Sequence, residues 1–217
     1  MSEIHARSIE STPEEVAYEL RASEASIWTG TRLIVGIATF AFASLAFAYF
    51  YLRSSNNENL WRPGGITAPT AIGVAIAGLI AACALFQAFG LRRLRAGQTL
   101  DWLIAGWLVV LGGLVGVGLQ IYELTRLPFF PGSSGYASCF IGWAALNIGA
   151  LFAGTYWLET VIARATRMRR DIDTSEKSAG GAAPSAMLFR ANVESCAYFW
   201  GYLGVISVLF WVLFYVI

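Results

Sequence analysis

The stretch that decides the fold is residues 103–119, which read LIAGWLVVLGGLVGVGL. It contains no charged residue, and its apolar residues do not alternate with polar ones as they would in a strand of a membrane β-barrel. A helix that crosses the hydrocarbon core of a membrane needs about 20 mainly apolar residues. The stretch and its flanks therefore predict a membrane-spanning helix over about residues 100–122.

Four further stretches have the same character. They cover about residues 68–90 and 27–51 on the N-terminal side, and about 137–163 and 195–217 on the C-terminal side. The composition agrees, since 57% of the 217 residues are hydrophobic and 13% are charged, against about 45–50% and 25% in soluble domains. The sequence predicts an all-α integral membrane protein, a bundle of five transmembrane helices over residues 27–217.

The segments outside these helices are short. Residues 1–26 form a predicted cytoplasmic tail, in which residues 11–15 (STPEE) are typical of a helix start. We expect a short amphipathic helix there, from Pro13 to about Ser23. Residues 56–65 are predicted to form a turn outside the membrane, and residues 171–184, which are polar and small, a flexible loop inside it.

The distribution of Lys and Arg predicts the orientation, because the loops on the cytoplasmic side of membrane proteins are enriched in both. With the N-terminus inside, the inside segments hold 12 of the 15 Lys and Arg, and the outside loops hold three. The chain is therefore expected to be a multi-pass protein of the bacterial cytoplasmic membrane, with its N-terminus inside and its C-terminus outside.

The inventory of reactive side chains limits the chemistry. The one histidine, His5, lies in the tail, so the sequence predicts no haem, copper or di-iron centre held by histidines of this chain. The three cysteines, Cys83, Cys139 and Cys196, fall in three different spans and are predicted to be small apolar core residues. The sequence predicts no catalytic, cofactor-binding or metal-binding residue. A net charge of +1 argues against a nucleic-acid partner.

The spans carry patterns typical of helix packing in lipid, where small residues let helix backbones approach each other. Asn147 lies in the middle of a span and is expected to bond a neighbouring helix. Four acids near predicted helix ends are expected to pair with arginines or to meet headgroup water: Asp101, Glu123, Glu159 and Glu194. The small residues recur as Gly73, Ala77 and Ala81; Gly112 and Gly116; and Ala145, Gly149 and Ala153.

Glu123 is paired in sequence with Gln120, three residues earlier. At this spacing the two side chains share one face of a helix, and a carboxylate should turn away from lipid. The expected partner of Glu123 is Arg126, or else Arg53 or Arg62 from the other outside loop. Gln120 and Glu123 are accordingly candidate structural or interface residues, together with Asn147, Gly112 and Gly116.

These landmarks resemble, in order and spacing, subunit III of haem-copper terminal oxidases in its short five-helix form. The similarity covers about residues 28–217. The segments that carry it are residues 48–53 (AYFYLR), Trp61-Arg62-Pro63-Gly64, Gln120-Ile121-Tyr122-Glu123, residues 131–140 (PGSSGYASCF) and the terminal helix from Tyr198-Phe199-Trp200 to Tyr215. The chain departs from the family where Ala38, residues 144–149 (AALNIG), Gly201 and Gly204 replace family acids and histidines.

The resemblance implies a subunit without redox centres in a respiratory oxidase of cytochrome c or quinol, an oxidoreductase that translocates protons. Haem and copper would belong to its partners, subunits I and II, and this chain would pack on the catalytic subunit and stabilise it. The alternatives are a subunit-III-like accessory protein of nitric oxide reductase and, from a different class, a small membrane transporter. A lipid-modifying enzyme would have to use the residues around Arg164–Asp173.

The resemblance also implies bound phospholipid, since lipids occupy a cleft of this subunit in the family. Trp61 and Arg62 are the candidate lipid-binding residues of this chain. An indole ring suits the membrane interface, and a guanidinium suits a phosphate group. The alternative is that Trp61 and Arg62 are an ordinary anchor at the membrane surface.

Overall fold

The computed structural model describes residues 13–56, 60–175 and 182–217, and in these ranges the chain is helical with no β-strand. Five long helices are joined by short connections, one of which contains a single turn of 3₁₀ helix, Pro63–Gly65. Each long helix contains a segment long and apolar enough to cross a membrane, as predicted. The helices are α1 Pro13–Ser54, α2 Thr70–Arg95, α3 Thr99–Thr125, α4 Gly135–Ser175 and α5 Ala182–Trp211, which ends in a π-helical turn, Val212–Val216.

The N-terminal helix is not separate from the first span. Helix α1 is described from Pro13, where the sequence predicts a helix start, and it continues for 42 residues to Ser54. The prediction that it ends near Ser23 is wrong because residues 23–27 contain neither Gly nor Pro, and the Ser26 hydroxyl bonds the Ala22 carbonyl within the helix. At 1.5 Å per residue the helix is about 63 Å long, twice the roughly 30 Å thickness of a hydrocarbon core.

The prediction of a loop over residues 171–184 is wrong for residues 171–175 and 182–184, which are helical. Helix α4 continues to Ser175, and α5 begins at Ala182; residues 176–181 lie outside the described part of the chain. Residues 164–175 contain no Gly or Pro that would end the helix. Pro184 is the third residue of α5, where its missing N–H leaves no helical hydrogen bond unmade.

The bundle has two ends with different chemistry. At the charged end, Arg93 pairs with Asp101 at 2.6 Å, and Glu194 pairs with Arg95 at 2.9 Å and Arg190 at 3.4 Å. The expected pairing of Asp101 and Glu194 with arginines is thus confirmed. At the opposite, aromatic end, buried rings from α1, α4, α5 and the α1–α2 connection pack edge to face, among them Tyr49, Trp61, Tyr136 and Phe214.

Most of the small residues that the sequence singles out lie between the helices. A Cβ at Gly112 would overlap the Cys83 sulfur of α2, and one at Gly116 would contact Leu151 of α4 at 3.6 Å. Both glycines therefore pack inside the chain. The third set differs, because Ala145, Gly149 and Ala153 of α4 are exposed, and a Cβ added at Gly149 would have no neighbour within 4 Å.

Candidate functional site

A continuous chain of polar side chains runs through the bundle from its middle towards the aromatic end. It consists of five residues on three helices: Ser207, Asn147, Gln120, Glu123 and Tyr215. The first four are no more than 1% exposed, although they lie among apolar residues. A buried polar group that lacks a hydrogen bond is costly, so their mutual contacts decide whether this arrangement is stable.

Glu123 is the acid of this polar chain and is completely buried. Its Oε2 accepts a hydrogen bond from Gln120 Nε2 at 2.7 Å, and its Oε1 accepts a short hydrogen bond from the Tyr215 hydroxyl. The contact with Gln120 follows from the three-residue spacing on α3. The contact with Tyr215 ties the end of α3 to the end of α5.

The expectation that Glu123 pairs with an arginine is wrong. The Arg126 guanidinium lies over the Tyr122 ring, 5.1 Å from its centroid, and Arg62 lies over Tyr136 at 4.4 Å. Tyr122 is on the exposed side of α3 and Glu123 on the buried side, so Arg126 follows Tyr122 outward. No described arginine, Arg53 included, is within ion-pair distance of Glu123.

Asn147 connects α4 to the other two helices of the polar chain. Its Nδ2 donates to Gln120 Oε1 on α3 at 2.8 Å, and its Oδ1 accepts from the Ser207 hydroxyl on α5 at 3.5 Å. The prediction that Asn147 bonds a neighbouring helix is confirmed. Gln120 is thereby bonded on both sides, since its amide donates to Glu123 and its carbonyl accepts from Asn147.

The last turn of α5 brings Tyr215 to Glu123. In this π-helical turn the Ile217 N–H bonds the Val212 carbonyl, and the Phe214 carbonyl accepts from the Tyr136 hydroxyl of α4 at 3.1 Å. Gly73 of α2 leaves room for the phenol, because a Cβ there would lie 2.6 Å from Tyr215 Cε1. Sequence reasoning missed Tyr215. The signal was its position, since α3 and α5 end on the same side of the bundle.

The side chains of this site can form hydrogen bonds between helices. The described residues place no three His, Cys, Asp or Glu side chains close enough together to hold a metal ion, and His5 lies outside them. Cys83, Cys139 and Cys196 are free thiols buried in α2, α4 and α5. Their surroundings are apolar, apart from a 3.9 Å contact in which the Gln87 amide donates to Cys196.

Trp61 and Arg62 lie at the rim of the aromatic end. The Trp61 ring is only 8% exposed and packs against Tyr49 and Tyr136, so it is part of the core and does not lie on the surface. Arg62 lines a cavity of about 210 Å³ with Phe129, Ser133 and other residues of the α3–α4 connection. Its Nε is buried and has no hydrogen-bond partner among the described residues.

Comparisons of the sequence with models of known protein families and with curated proteins found no match. The resemblance to oxidase subunit III thus rests on the order and spacing of the residues quoted for it. Two sites bear on the function: the buried polar chain and the rim around Arg62.

Proposed function

We propose that the chain is a multi-pass membrane protein that serves as a non-catalytic, subunit-III-like component of a respiratory haem-copper oxidase. Its partners would be the catalytic subunit I and subunit II, which would hold the haem and copper. The chain itself would pack on the catalytic subunit and stabilise it. The support comes from five helices of sufficient length and apolarity, from the family resemblance, and from the use that the chain makes of its buried polar residues.

The observation on which the proposal depends is that the five residues of the buried polar chain bond each other and connect three helices. Gln120, Glu123 and Asn147 each use side-chain atoms for bonds inside the bundle. Such bonds help to hold helices together in a membrane. Lipid tails are as apolar as the side chains, so burying apolar side chains between helices adds little stability there. This use of polar residues is what a packing subunit requires.

The proposed location is the bacterial cytoplasmic membrane, with the N-terminus inside and the C-terminus outside. The charged end of the bundle, with Arg92, Arg93 and Arg95 at the end of α2, would face the cytoplasm, in keeping with the excess of Lys and Arg on that side. The aromatic end would then lie at the outer surface. Glu123 and Tyr215 would meet near the outer boundary of the hydrocarbon core.

Phospholipid is the proposed ligand of the rim around Arg62. The guanidinium is fixed over the Tyr136 ring and has an unpartnered Nε, and Ser133 and Ser134 line the same cavity. A phosphate group accepts hydrogen bonds from both kinds of side chain. Arg62, and not the buried Trp61, would bind the headgroup.

We expect Arg62→Ala to lose a phospholipid that the wild-type chain retains through purification. Native mass spectrometry of the chain in detergent measures this directly. Arg126→Ala is the matched control, because Arg126 also lies over a tyrosine ring but does not line the cavity. Equal lipid retention in wild type and Arg62→Ala would contradict the lipid site.

Deletion of the chain in the cells that produce it tests the proposed role. The oxidase should initially keep its haem content and its turnover, since no redox group is lost. It should then lose activity faster during turnover, or dissociate more readily in detergent, because a packing partner is missing. Oxygen consumption that never starts, or that decays at the wild-type rate, would contradict a stabilising role.

The same observations would fit a subunit-III-like accessory protein of nitric oxide reductase. The two proposals differ in the large subunit that accompanies the chain. If deletion of the chain made nitric oxide reductase activity decay faster and left oxygen consumption unchanged, that alternative would be favoured.

A further inference from the structure

Glu159 is an acid in an apolar helix segment and has no partner among the residues that the structure describes. It lies on the exposed side of α4 and forms no hydrogen bond or ion pair with any described residue. Of the two expectations for Glu159, an arginine partner is not found among the described residues, and contact with headgroup water stays a prediction. Asp101 and Glu194, the acids of the charged end, do have such partners.

The level of Glu159 along the bundle follows from the contacts between α3 and α4. Cβ atoms added at Gly106 and Gly113 of α3 would lie 3.0 Å from Ile162 and 3.3 Å from the Thr155 Cβ of α4. Glu159 lies between these two levels, and hence beside Val109. That is eight residues, about 12 Å, further from the charged end than Asp101.

A carboxylate at that depth facing lipid is costly. An arginine or lysine can extend its long stem to reach the membrane surface, but the glutamate stem has only two methylene groups. The described part of α4 provides no partner either, since Arg164 and Arg167 make no ion pair with it. Among the described residues the charge has no cation, and an arginine or lysine of a neighbouring protein would offset its cost in lipid.

The exposed side of α4 that carries Glu159 also has small residues, which allow a neighbouring helix to pack closely. Gly149 and Ala153 leave the backbone accessible, and small residues at such spacing allow helices in lipid to approach closely. The Tyr156 ring, 62% exposed, stands between them and Glu159. A second copy of this chain, packed symmetrically on the same face, would bring two Glu159 carboxylates together, so the charge favours a different protein.

We infer that the face of α4 formed by Gly149, Ala153, Tyr156 and Glu159 is the docking surface for a membrane-spanning helix of another protein. That helix carries an arginine or lysine that pairs with Glu159. The inference rests on the proposed membrane location but holds whether or not the partner is an oxidase.

A photo-cross-linking amino acid in place of Tyr156 tests this in the membranes of the cells that produce the chain. We expect a protein adduct whose linked peptide, identified by mass spectrometry, is an apolar segment with Arg or Lys within one helical turn. The same cross-linker at Leu85, which is exposed on α2, should give no such adduct. An adduct with lipid alone, or with a second copy of this chain, would overturn the inference.

The role of the charge is tested by Glu159→Leu in the cross-linking chain. This substitution leaves the partner cation unpaired in lipid and should lower the adduct yield at least about tenfold. Glu19→Leu is the control: it removes an exposed carboxylate near the start of α1 and should not change the yield. Exchanging the charges, with Glu159→Arg here and Glu in place of the partner's cation, should restore the adduct. An unchanged yield in Glu159→Leu would overturn the pairing. If carbonate released the chain from the membranes, both the proposed location and the docking would fail.

Discussion

Glu123 and Glu159 are both glutamates in apolar segments of neighbouring helices, yet their surroundings are opposite. Glu123 is fully buried and accepts hydrogen bonds from Gln120 and Tyr215, whereas Glu159 is exposed and unpaired among the described residues. The Glu123 carboxylate has its hydrogen-bond partners within the bundle, whereas the Glu159 carboxylate is accessible to a partner from another molecule. The difference separates a residue that holds this protein together from one that we infer holds it to a partner.

Glu123→Leu should have the largest effect on the isolated chain. It leaves the Gln120 amide and the Tyr215 hydroxyl without their acceptor, and each unsatisfied buried donor costs about 1–3 kcal/mol. We expect the free energy of unfolding in detergent, measured by titration with a denaturing detergent, to fall by about 2–5 kcal/mol.

Glu123→Gln is the matched control for that substitution. The glutamine keeps an acceptor for Gln120 and a polar group for Tyr215, so the free energy of unfolding should stay within about 1 kcal/mol of wild type. If Glu123→Gln abolished turnover or proton pumping of an intact complex, the structural role of this residue would be refuted.

Gly73→Ala tests whether Tyr215 must reach Glu123. The new methyl group would overlap the Tyr215 ring, and relief of such overpacking typically costs about 1–3 kcal/mol. Gly78→Ala is the control on the same helix, because a Cβ there meets nothing within 4 Å. Unfolding titrations should separate the two variants; equal stability would mean that the Tyr215 contact contributes little.

Asn147→Leu removes the link between α4 and Gln120. Hydrogen bonds between membrane helices contribute about 0.6 kcal/mol on average, and up to about 1.7, so the loss should be smaller than for Glu123→Leu. Ser207→Ala should lose less again, since its 3.5 Å bond to Asn147 is at the outer limit of hydrogen-bond length. A larger loss in Ser207→Ala would reverse this ranking.

Glu159→Leu should have the smallest effect on the purified chain in detergent. Because Glu159 contacts no described side chain through its charge, the free energy of unfolding should remain within about 0.5 kcal/mol of wild type. The same titration used for Glu123→Leu measures it. A loss comparable to that of Glu123→Leu would remove the distinction between the two acids.

The helices themselves follow from the sequence because hydrophobic length is a local property. Hydropathy predicts the middle of each long helix correctly, but it does not predict the extension of α1 back to Pro13 or of α4 on to Ser175. Hydropathy marks where the apolar segment ends, and the helix itself can continue through polar residues beyond that point. Only Gly or Pro would have marked an end, and neither occurs there.

The candidate site is predictable only where its contacts lie within one helix. The pairing of Gln120 with Glu123 follows from their spacing, and the mid-span position of Asn147 predicts a bond to another helix without naming the partner. Tyr215 is not predictable in this way, because its approach to Glu123 depends on the register of α5 against α3 and on the room left by Gly73. Such registers are set by packing across the bundle.

The most direct test of the proposed function is to purify, through a tag on this chain, the complex that it forms in mild detergent and to record its reduced-minus-oxidised spectrum. We expect a complex with a larger subunit that carries haem and copper, and a spectrum of a haem-copper oxidase that disappears from the tagged chain when the large subunit is dissociated. A chain that purifies without any haem protein, or that retains stoichiometric haem after dissociation, would contradict the proposed function.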